Sequence, residues 1–571
     1  MTLKELMAQL TSRRRAPFVA ALVALLACLP GLFTLPPMDR DESRFAEASA
    51  QMLENGDFTN IMFQDEPRYK KPIGVYWLQA ASVRVLSGVE RRQIWAFRIP
   101  SVLGAMLAAG ACAWGALAFL QPREATLAGG LLAATMVLST EANLATTDAA
   151  LCGAITLSMA ALGKLYIAAR DGPPKQDGRP GGDSPPAGRW VRALFWAGLG
   201  ASLLLKGPIG PMVVGLTALA LAAWDRNARW LLHIGWAWGA IIVAGMVLPW
   251  ALAITVATDG AFWGIAVGGD LAPKLFGGQE GHGAPPGYFL LLSPVLLFPA
   301  VLLAPAGLIE GWRGRAEPGI RFALCWLIPS WIVFELVPTK LPHYVLPTFG
   351  ALAWLMAAAL RRPLDRRERW IGAGLLVAVG AGLVVFGGVA AAMFGDSWSW
   401  AWATIAAIAL IGAAGAGALW MLQQRAGLAA GLACGLGILG HGLVIGALAP
   451  SLSGIWLSER VADGLARANI SPRQGLANGP VAVTGYAEPS LVFALGAATE
   501  LGTAQNAADA IDEGRPAVVE QRQEAAFRQA LAADGVGALL AGTVSGLNYS
   551  SGHAEVLRLY QPVPDHAEPA N

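Results

Sequence analysis

The stretch MDRDESRFAE, residues 38–47, follows directly on the first apolar segment of the chain, residues 16–35. It carries four carboxylates (Asp39, Asp41, Glu42, Glu47) and two arginines (Arg40, Arg44). Membrane proteins concentrate lysine and arginine on the cytoplasmic side. A dense acidic-basic cluster on the other side therefore reads as a site for an anionic, membrane-held substrate rather than as topology signal.

Composition sets the class. The chain has 571 residues, 55% hydrophobic and 14% charged, with a mean hydropathy of +0.50. Soluble domains carry about 25% charged residues, so this is a polytopic membrane protein. A net charge of +2 and the absence of a basic helix or tail argue against a nucleic-acid partner. The five cysteines (Cys28, Cys112, Cys152, Cys325, Cys434) fall in apolar segments without metal-ligand spacing, and read as small hydrophobes.

Working outward, about thirteen apolar segments approach the ~20 residues needed to cross a bilayer. Their centres are Leu25, Leu107, Ala133, Ser158, Ala197, Ala218, Ala244, Leu297, Ile328, Leu352, Leu383, Ala407 and Gly437. The fifth and sixth are short and split by KGPIG, residues 206–210, where a re-entrant pair is an alternative. The first segment follows Arg13, Arg14 and Arg15 as a signal peptide would. It ends in Leu35, Pro36 and Pro37 rather than in a small-x-small site, and is read as a retained helix. Arginines recur in alternate loops, most densely in RRPLDRRER, residues 361–369, which assigns those loops and the N-terminus to the cytoplasm. The odd count sends the C-terminus to the opposite, periplasmic side. Residues 1–450 form the membrane domain on this reading. Residues 451–571 lose membrane-length runs and form a small soluble α/β domain, with β-like PVAVTGY, LVFALG, PAVVE and AEVLRLY between helix-like stretches.

The first outer loop, residues 36–93, is expected to hold two short helices in the interface, RFAEASAQMLENG (44–56) and IGVYWLQAASVRVLSG (73–88), with Tyr76 and Trp77 as anchors. Between them lies EPRYKKP with Arg68, Lys70 and Lys71. A single carboxylate at Asp41 or Glu42 would read as a helix cap. The cluster beside EPRYKKP reads as a site, with Asp41 the better base and Arg44 one turn away to hold it ionised. Four more outer motifs follow. TTDAA puts Asp148 at a helix end near Glu141, where a carboxylate faces a cavity or partner. LLLKGPIGP puts Lys206 before a helix break. GGQEGHGAPPGYF holds Glu280 and His282, too few ligands for a strong metal signal. PTKLPHYVLP offers Lys340, His343 and Tyr344, two cation-capable groups and a phenol able to grip a phosphate.

Taken in order, DESRFAEASAQMLENGDF, YKKPIGVYWLQA, AFRIPSVLGA, TTDA, LKGPIG and TKLPHYVLP, with EPSLVFALG in the tail, resemble the aminoarabinose-transferase branch of the protein-O-mannosyltransferase-like glycosyltransferases. The resemblance implies the GT-C membrane fold. It implies inverting transfer of one sugar from a polyprenyl-phosphate carrier to lipid A or another envelope acceptor, at the outer face of the bacterial inner membrane. By motif position it implies a catalytic role for Asp41, with Glu42 beside it, and a phosphate-contacting role for Lys71, Lys340 and Tyr344, with Lys70 and His343 beside them. It places Asp148 and Lys206 in the cavity wall, where Asp148 joins the catalytic candidates and Lys206 the phosphate-contacting ones. From the residues themselves, Arg44, Glu280 and His282 are further cavity candidates. The physics agrees: cations must stabilise charge developing on a leaving lipid phosphate. One departure stands out. The family pattern is EKP, whose glutamate can contribute to a metal site; here Lys70 makes it KKP. No metal ligand is assigned, and the extra cation suits an acidic sugar such as a uronic acid, or an anionic acceptor, so the sugar stays among 4-amino-4-deoxyarabinose, a hexose and a uronic acid. A lipid-linked sugar flippase and an envelope polysaccharide ligase are the alternatives. The first would gather charge near the bilayer midplane.

Overall fold

The computed structural model describes residues 11–171, 188–276 and 283–563. Glu280 and His282 lie outside the described residues. Among these residues, seven helices are long and apolar enough to cross a membrane. Two bent pairs, Pro122–Ala134 with Met136–Ala142 and Tyr288–Leu296 with Ala300–Arg313, raise the number to nine. Two shorter apolar helices are Ala16–Leu32 and Ile209–Asp225. Helices Arg189–Lys206 and Phe349–Ala359 account for the two remaining apolar segments of the sequence. The protein is therefore a multi-pass helical membrane protein.

Close helix contact is made by small residues. A Cβ on Gly104 of helix Ile94–Ala116 would collide with the backbone of Ala150, and one on Gly153 with the backbone of Gly104. This approach, the usual device where lipid removes the hydrophobic drive between helices, fixes the helix that begins at Asp148 against its neighbour. KGPIG is a tight turn between two helices of 18 and 17 residues, not a break in one. Gly207 takes φ +61 there, a region open to glycine. The arginine-rich loops meet at the end of the bundle away from the motifs. Arg362 bonds Glu310 and Glu368 at 2.9 and 2.5 Å, and Arg361 bonds Glu317 at 2.8 Å. In RRPLDRRER, Asp365 and Glu368 form a capping box that starts helix Arg366–Phe394.

The first loop forms the two expected short helices, Asp41–Asn55 and Gly74–Leu86, and packs them into the protein. Helix Asp41–Asn55 ends where its Asn-Gly stop predicts, Gly56 adopting φ 70 and closing on Met52. Most of its length is buried, from Glu42 to Met52. Tyr76, expected as an interfacial anchor, is fully buried on helix Gly74–Leu86 with its ring 5.3 Å from Phe45. Trp77 keeps the partly exposed position, its indole donating to Phe58 O. The tail covers one face of the first helix: helix Pro489–Leu495 packs on Asp41–Asn55, and Phe493 stacks edge-on against Phe97. LVFALG was expected as a strand. It is helical because Pro489 opens a helix at its first turn, which then buries Leu491, Val492 and Phe493.

The rest of the tail matches the α/β expectation. Its five-stranded sheet runs in the order Glu500–Gly502, Ala482–Thr484, Ala517–Glu520, His553–Pro562, Ala538–Asn548. The first three strands are parallel and the last two form an antiparallel hairpin. Helix Leu457–Arg467 contributes Leu457, Val461 and Leu465 to a core of its own with Val483, Val518 and Leu557. Polar contacts fasten this unit to the first loop. Asp39 N donates to Tyr549 Oη at 2.7 Å, Arg40 donates to Ser550 O at 2.6 Å, and Gln64 donates to Thr499 O at 2.6 Å.

Candidate active site

Two cavities meet at the motif-bearing end of the bundle. One is an apolar groove of about 1150 Å³, walled by Leu151, Met212, Phe262, Trp263, Val267, Val333 and Phe334 among others. The second, of about 1370 Å³, is polar, and Asp39, Arg40, Asp41, Arg44 and Arg68 line it. Eight residues line both: Lys70, Lys71, Asp148, Lys206, Asp270, Lys274, His343 and Tyr344. Five separate sequence segments supply them, so the junction exists only in the folded chain.

Asp41 opens its helix, where the peptide dipole favours an anion. Its side chain is 64% exposed to the cavity, and Arg68 approaches it at 3.7 Å. Arg68 is buried and lies over the Phe45 ring at 4.9 Å, which fixes its guanidinium. Glu42, the neighbouring candidate, serves a different purpose. It is 2% exposed. It accepts hydrogen bonds from Met38 N (2.8 Å) and Ala145 N (2.7 Å) and a fork from Arg98 at 2.8 and 2.9 Å. Arg98, from AFRIPSVLGA, also donates to Leu35 O and Pro36 O. Every acceptor site of Glu42 is thus committed to holding the loop that presents Asp41.

Asp148 caps the other carboxylate region. Its Oδ1 accepts from Lys206 Nζ at 2.6 Å and its Oδ2 from Thr147 Oγ1 at 3.1 Å. Lys206 Nζ also lies 4.9 Å above the Tyr344 ring. His343 Nδ1 is 3.0 Å from Glu141 Oε1, and its Nε2 is 3.6 Å from Asp148 Oδ2. Burial alone would disfavour the imidazolium, but the Asp148 and Glu141 carboxylates more than reverse that and raise His343 above the ordinary histidine value. Lys71 reaches Asp270 Oδ2 at 2.7 Å, and Lys274 reaches Asp270 Oδ1 at 2.6 Å. Burial lowers Lys71 to about 8, partly offset by Asp270.

Lys340 departs from expectation. It is 4% exposed and lines neither cavity. Its ammonium donates to Ala284 O (2.9 Å) and Val337 O (2.6 Å), tying the TKLPHY loop to the preceding segment and so seating His343 and Tyr344. Asp270 and Lys274, in contrast, went unread in the sequence. Their signal was an acid and a lysine four apart inside the apolar run WGIAVGGDLAPKLF, where charge has a cost. Metal binding through the EKP position does not fit Lys70, which replaces the glutamate's carboxylate oxygens with a hydrogen-bond donor. Among the described residues, Glu141, Asp148 and His343 are the group whose ligand atoms lie close together, within 4.8 Å. Both His343 nitrogens already face carboxylates, and an ammonium sits on Asp148, so the trio reads as an ion-pair network.

Residues 17–263 match the family model described as dolichyl-phosphate-mannose-protein mannosyltransferase. The chain is 28% identical over 363 residues to the undecaprenyl phosphate-alpha-4-amino-4-deoxy-L-arabinose arabinosyl transferase of Pseudomonas paraeruginosa, covering 60% of each chain. It is 28% identical over 351 residues to the protein of the same description from Yersinia enterocolitica, covering 59% of this chain and 58% of that one. The chain thus spans about 60% of the length of the curated relatives it matches. The fold is that of the crystal structure of ArnT from Cupriavidus metallidurans bound to undecaprenyl phosphate, with a TM-score of 0.75, 19% identity and coverage of 97% of this chain and 99% of that one. The chain thus has the GT-C fold and is similar in sequence to the dolichyl-phosphate-mannose-protein mannosyltransferase model and to the aminoarabinose transferases.

Proposed function

We propose that the protein is an inverting glycosyltransferase that moves a single sugar from a polyprenyl-phosphate carrier to lipid A or another envelope acceptor. The observation that carries this reading is the junction of the two cavities. An apolar groove suits a prenyl chain, and a polar cavity suits a sugar and its acceptor. The cations between them, Lys71, Lys206, Lys274 and His343 with the phenol of Tyr344, stand where the linking phosphate would lie. The relatives named for undecaprenyl-phosphate-linked aminoarabinose support the same donor class.

The reaction is a single displacement. An acceptor oxygen forms a bond to the sugar C1 as the bond from C1 to the phosphate oxygen breaks on the opposite face, which inverts the anomeric centre. Asp41, exposed at a helix N-terminus and held by Arg68, orients the acceptor hydroxyl and takes its proton. With an ionised phosphate acceptor it only positions. The departing phosphate gains charge, and preorganised ammonium groups stabilise that charge most where burial excludes water. Glu42 and Lys340 act through structure, presenting Asp41 and the His343–Tyr344 loop.

The motif-bearing end faces the periplasm of a bacterial inner membrane. The N-terminus and the arginine-rich loops face the cytoplasm, as the lysine and arginine bias supports. Residues 451–571 act as a periplasmic clamp on the first loop, through contacts such as Tyr549 on Asp39. The test is transfer by purified protein in liposomes supplied with undecaprenyl phosphate carrying 4-amino-4-deoxyarabinose, a hexose or a uronic acid. Mass spectrometry of added lipid A should find one sugar residue gained from one of these donors. Transbilayer movement of the donor without any glycosylated product would overturn the assignment.

A further inference from the structure

Asp270 stands at the point where the groove and the polar cavity join. The residue is 5% exposed, and its carboxylate is divided between two ammonium groups, Lys71 on one oxygen and Lys274 on the other. These two lysines also line the junction proposed to hold the lipid phosphate. A phosphate arriving there must share or take N–H donors that Asp270 already holds. Two anions on one pair of lysines repel each other strongly at such spacing in a buried site. Lys206 differs, because its partner Asp148 opens a long, tightly packed helix and is fixed.

Asp270 is on a more yielding support. It is the penultimate residue of the segment Gly264–Leu271, whose backbone has the i→i+5 winding that often marks functional positions. Gly268 and Gly269 precede it; a Cβ on Gly268 would meet open space, and one on Gly269 would meet the Ile265 Cγ2 methyl in ordinary contact at 3.9 Å. The carboxylate can therefore leave the lysines through a local backbone change.

Charge bookkeeping gives such a movement a purpose. The donor is a phosphodiester with one negative charge. The product is a monoester whose second ionisation falls near pH ~6, so it carries close to two charges at neutral pH. A lysine cluster thus holds product more tightly than donor, and tight product binding slows turnover.

We propose that Asp270 is an internal competitor for the lipid phosphate: it occupies Lys71 and Lys274 between turnovers, yields them to the donor, and returns to them as the polyprenyl phosphate product leaves. The proposal rests on the reading of this site as a polyprenyl-phosphate site. It makes Asp270 a positioning residue that sets product release, not a group that touches the reacting atoms.

The test is binding of undecaprenyl phosphate to the full-length protein in detergent, by calorimetry, with thermal unfolding as a fold control. Asp270→Asn removes the competing charge and should tighten binding by about tenfold. In turnover, D270N should show a fast first transfer followed by a slower steady state. Asp270→Glu keeps the competitor and should bind as the unsubstituted protein does. Unchanged or weaker binding by D270N would overturn the proposal, since Asp270 would then only arrange the lysines. Should D270N fail to fold, Gly268→Ala combined with Gly269→Ala reads the same device from the other side. Stiffening the segment should weaken undecaprenyl phosphate binding, and unchanged affinity would overturn the proposal. No binding by the unsubstituted protein would instead remove the lipid-phosphate reading of the site itself, which separates the two failures.

Discussion

Lys206 Nζ lies 2.6 Å from Asp148 Oδ1, across 58 residues of sequence. Lysine is the last residue of its helix and aspartate the first of its own. Each charge sits at the helix end whose dipole favours it, so the pair is stabilised twice over. The two should therefore depend on each other. Asp148→Asn and Lys206→Met each leave a partner buried without its counter-charge, while the double variant removes both. Thermal unfolding in detergent should show a double-mutant coupling of about 1–3 kcal/mol. Additive effects would mean the pair is not a unit.

Asp41 and Lys71 should separate chemistry from folding. Asp41 is exposed to the cavity, so Asp41→Asn should keep the unfolding midpoint and lower transfer by roughly 10²–10⁴-fold. Lys71→Ala should lower it by about 10²–10³-fold, the size expected for one lost phosphate contact in a buried site. Radiolabelled sugar transfer measures both, and full activity in both variants would end the glycosyltransferase assignment.

Glu42 should behave in the opposite way. Breaking its buried fork with Arg98 by Glu42→Ala should destabilise the protein by about 3–5 kcal/mol. Arg98→Ala should do the same. Loss of activity in either variant should follow loss of folded protein, measured by size-exclusion yield alongside transfer. A well-folded but inactive Glu42→Gln would instead argue for a chemical role.

The pH dependence follows from Lys71. Burial depresses it to about 8, so it is cationic below that value and neutral above it. Phosphate binding needs the cation. Affinity of the free enzyme for polyprenyl phosphate should thus fall as pH rises through about 8, and kcat/KM should fall with it. Bound phosphate favours the ammonium, so kcat should hold to higher pH than kcat/KM. Lys71→Arg, which stays charged, should flatten the profile even if its absolute rate is lower.

Much of this was legible in the chain before folding. Composition marked a membrane protein, the thirteen apolar segments all fell on helices, and the Asn-Gly stop ended the first-loop helix at Gly56. TTDA, LKGPIG and TKLPHY did supply the residues that gather at one junction. Local chemistry reads well where a residue's role is local, as with a cap, a turn or an apolar run.

Roles that depend on a partner did not read from the chain. Glu42 and Asp41 are adjacent, yet one is sealed by Arg98 from 56 residues away and the other opens to the cavity. Lys340 and Tyr344 share a motif, yet the lysine turns to backbone carbonyls and the phenol to the junction. Asp270 meets Lys71 across 199 residues, and nothing near either announces the other. The sequence by itself determined the class, the membrane segments and the stock of charged groups at one end. Only the tertiary structure decided which charges neutralise one another and which face the cavities. The physical reason is that an ion pair's strength and purpose depend on distance and burial, and helix packing sets both.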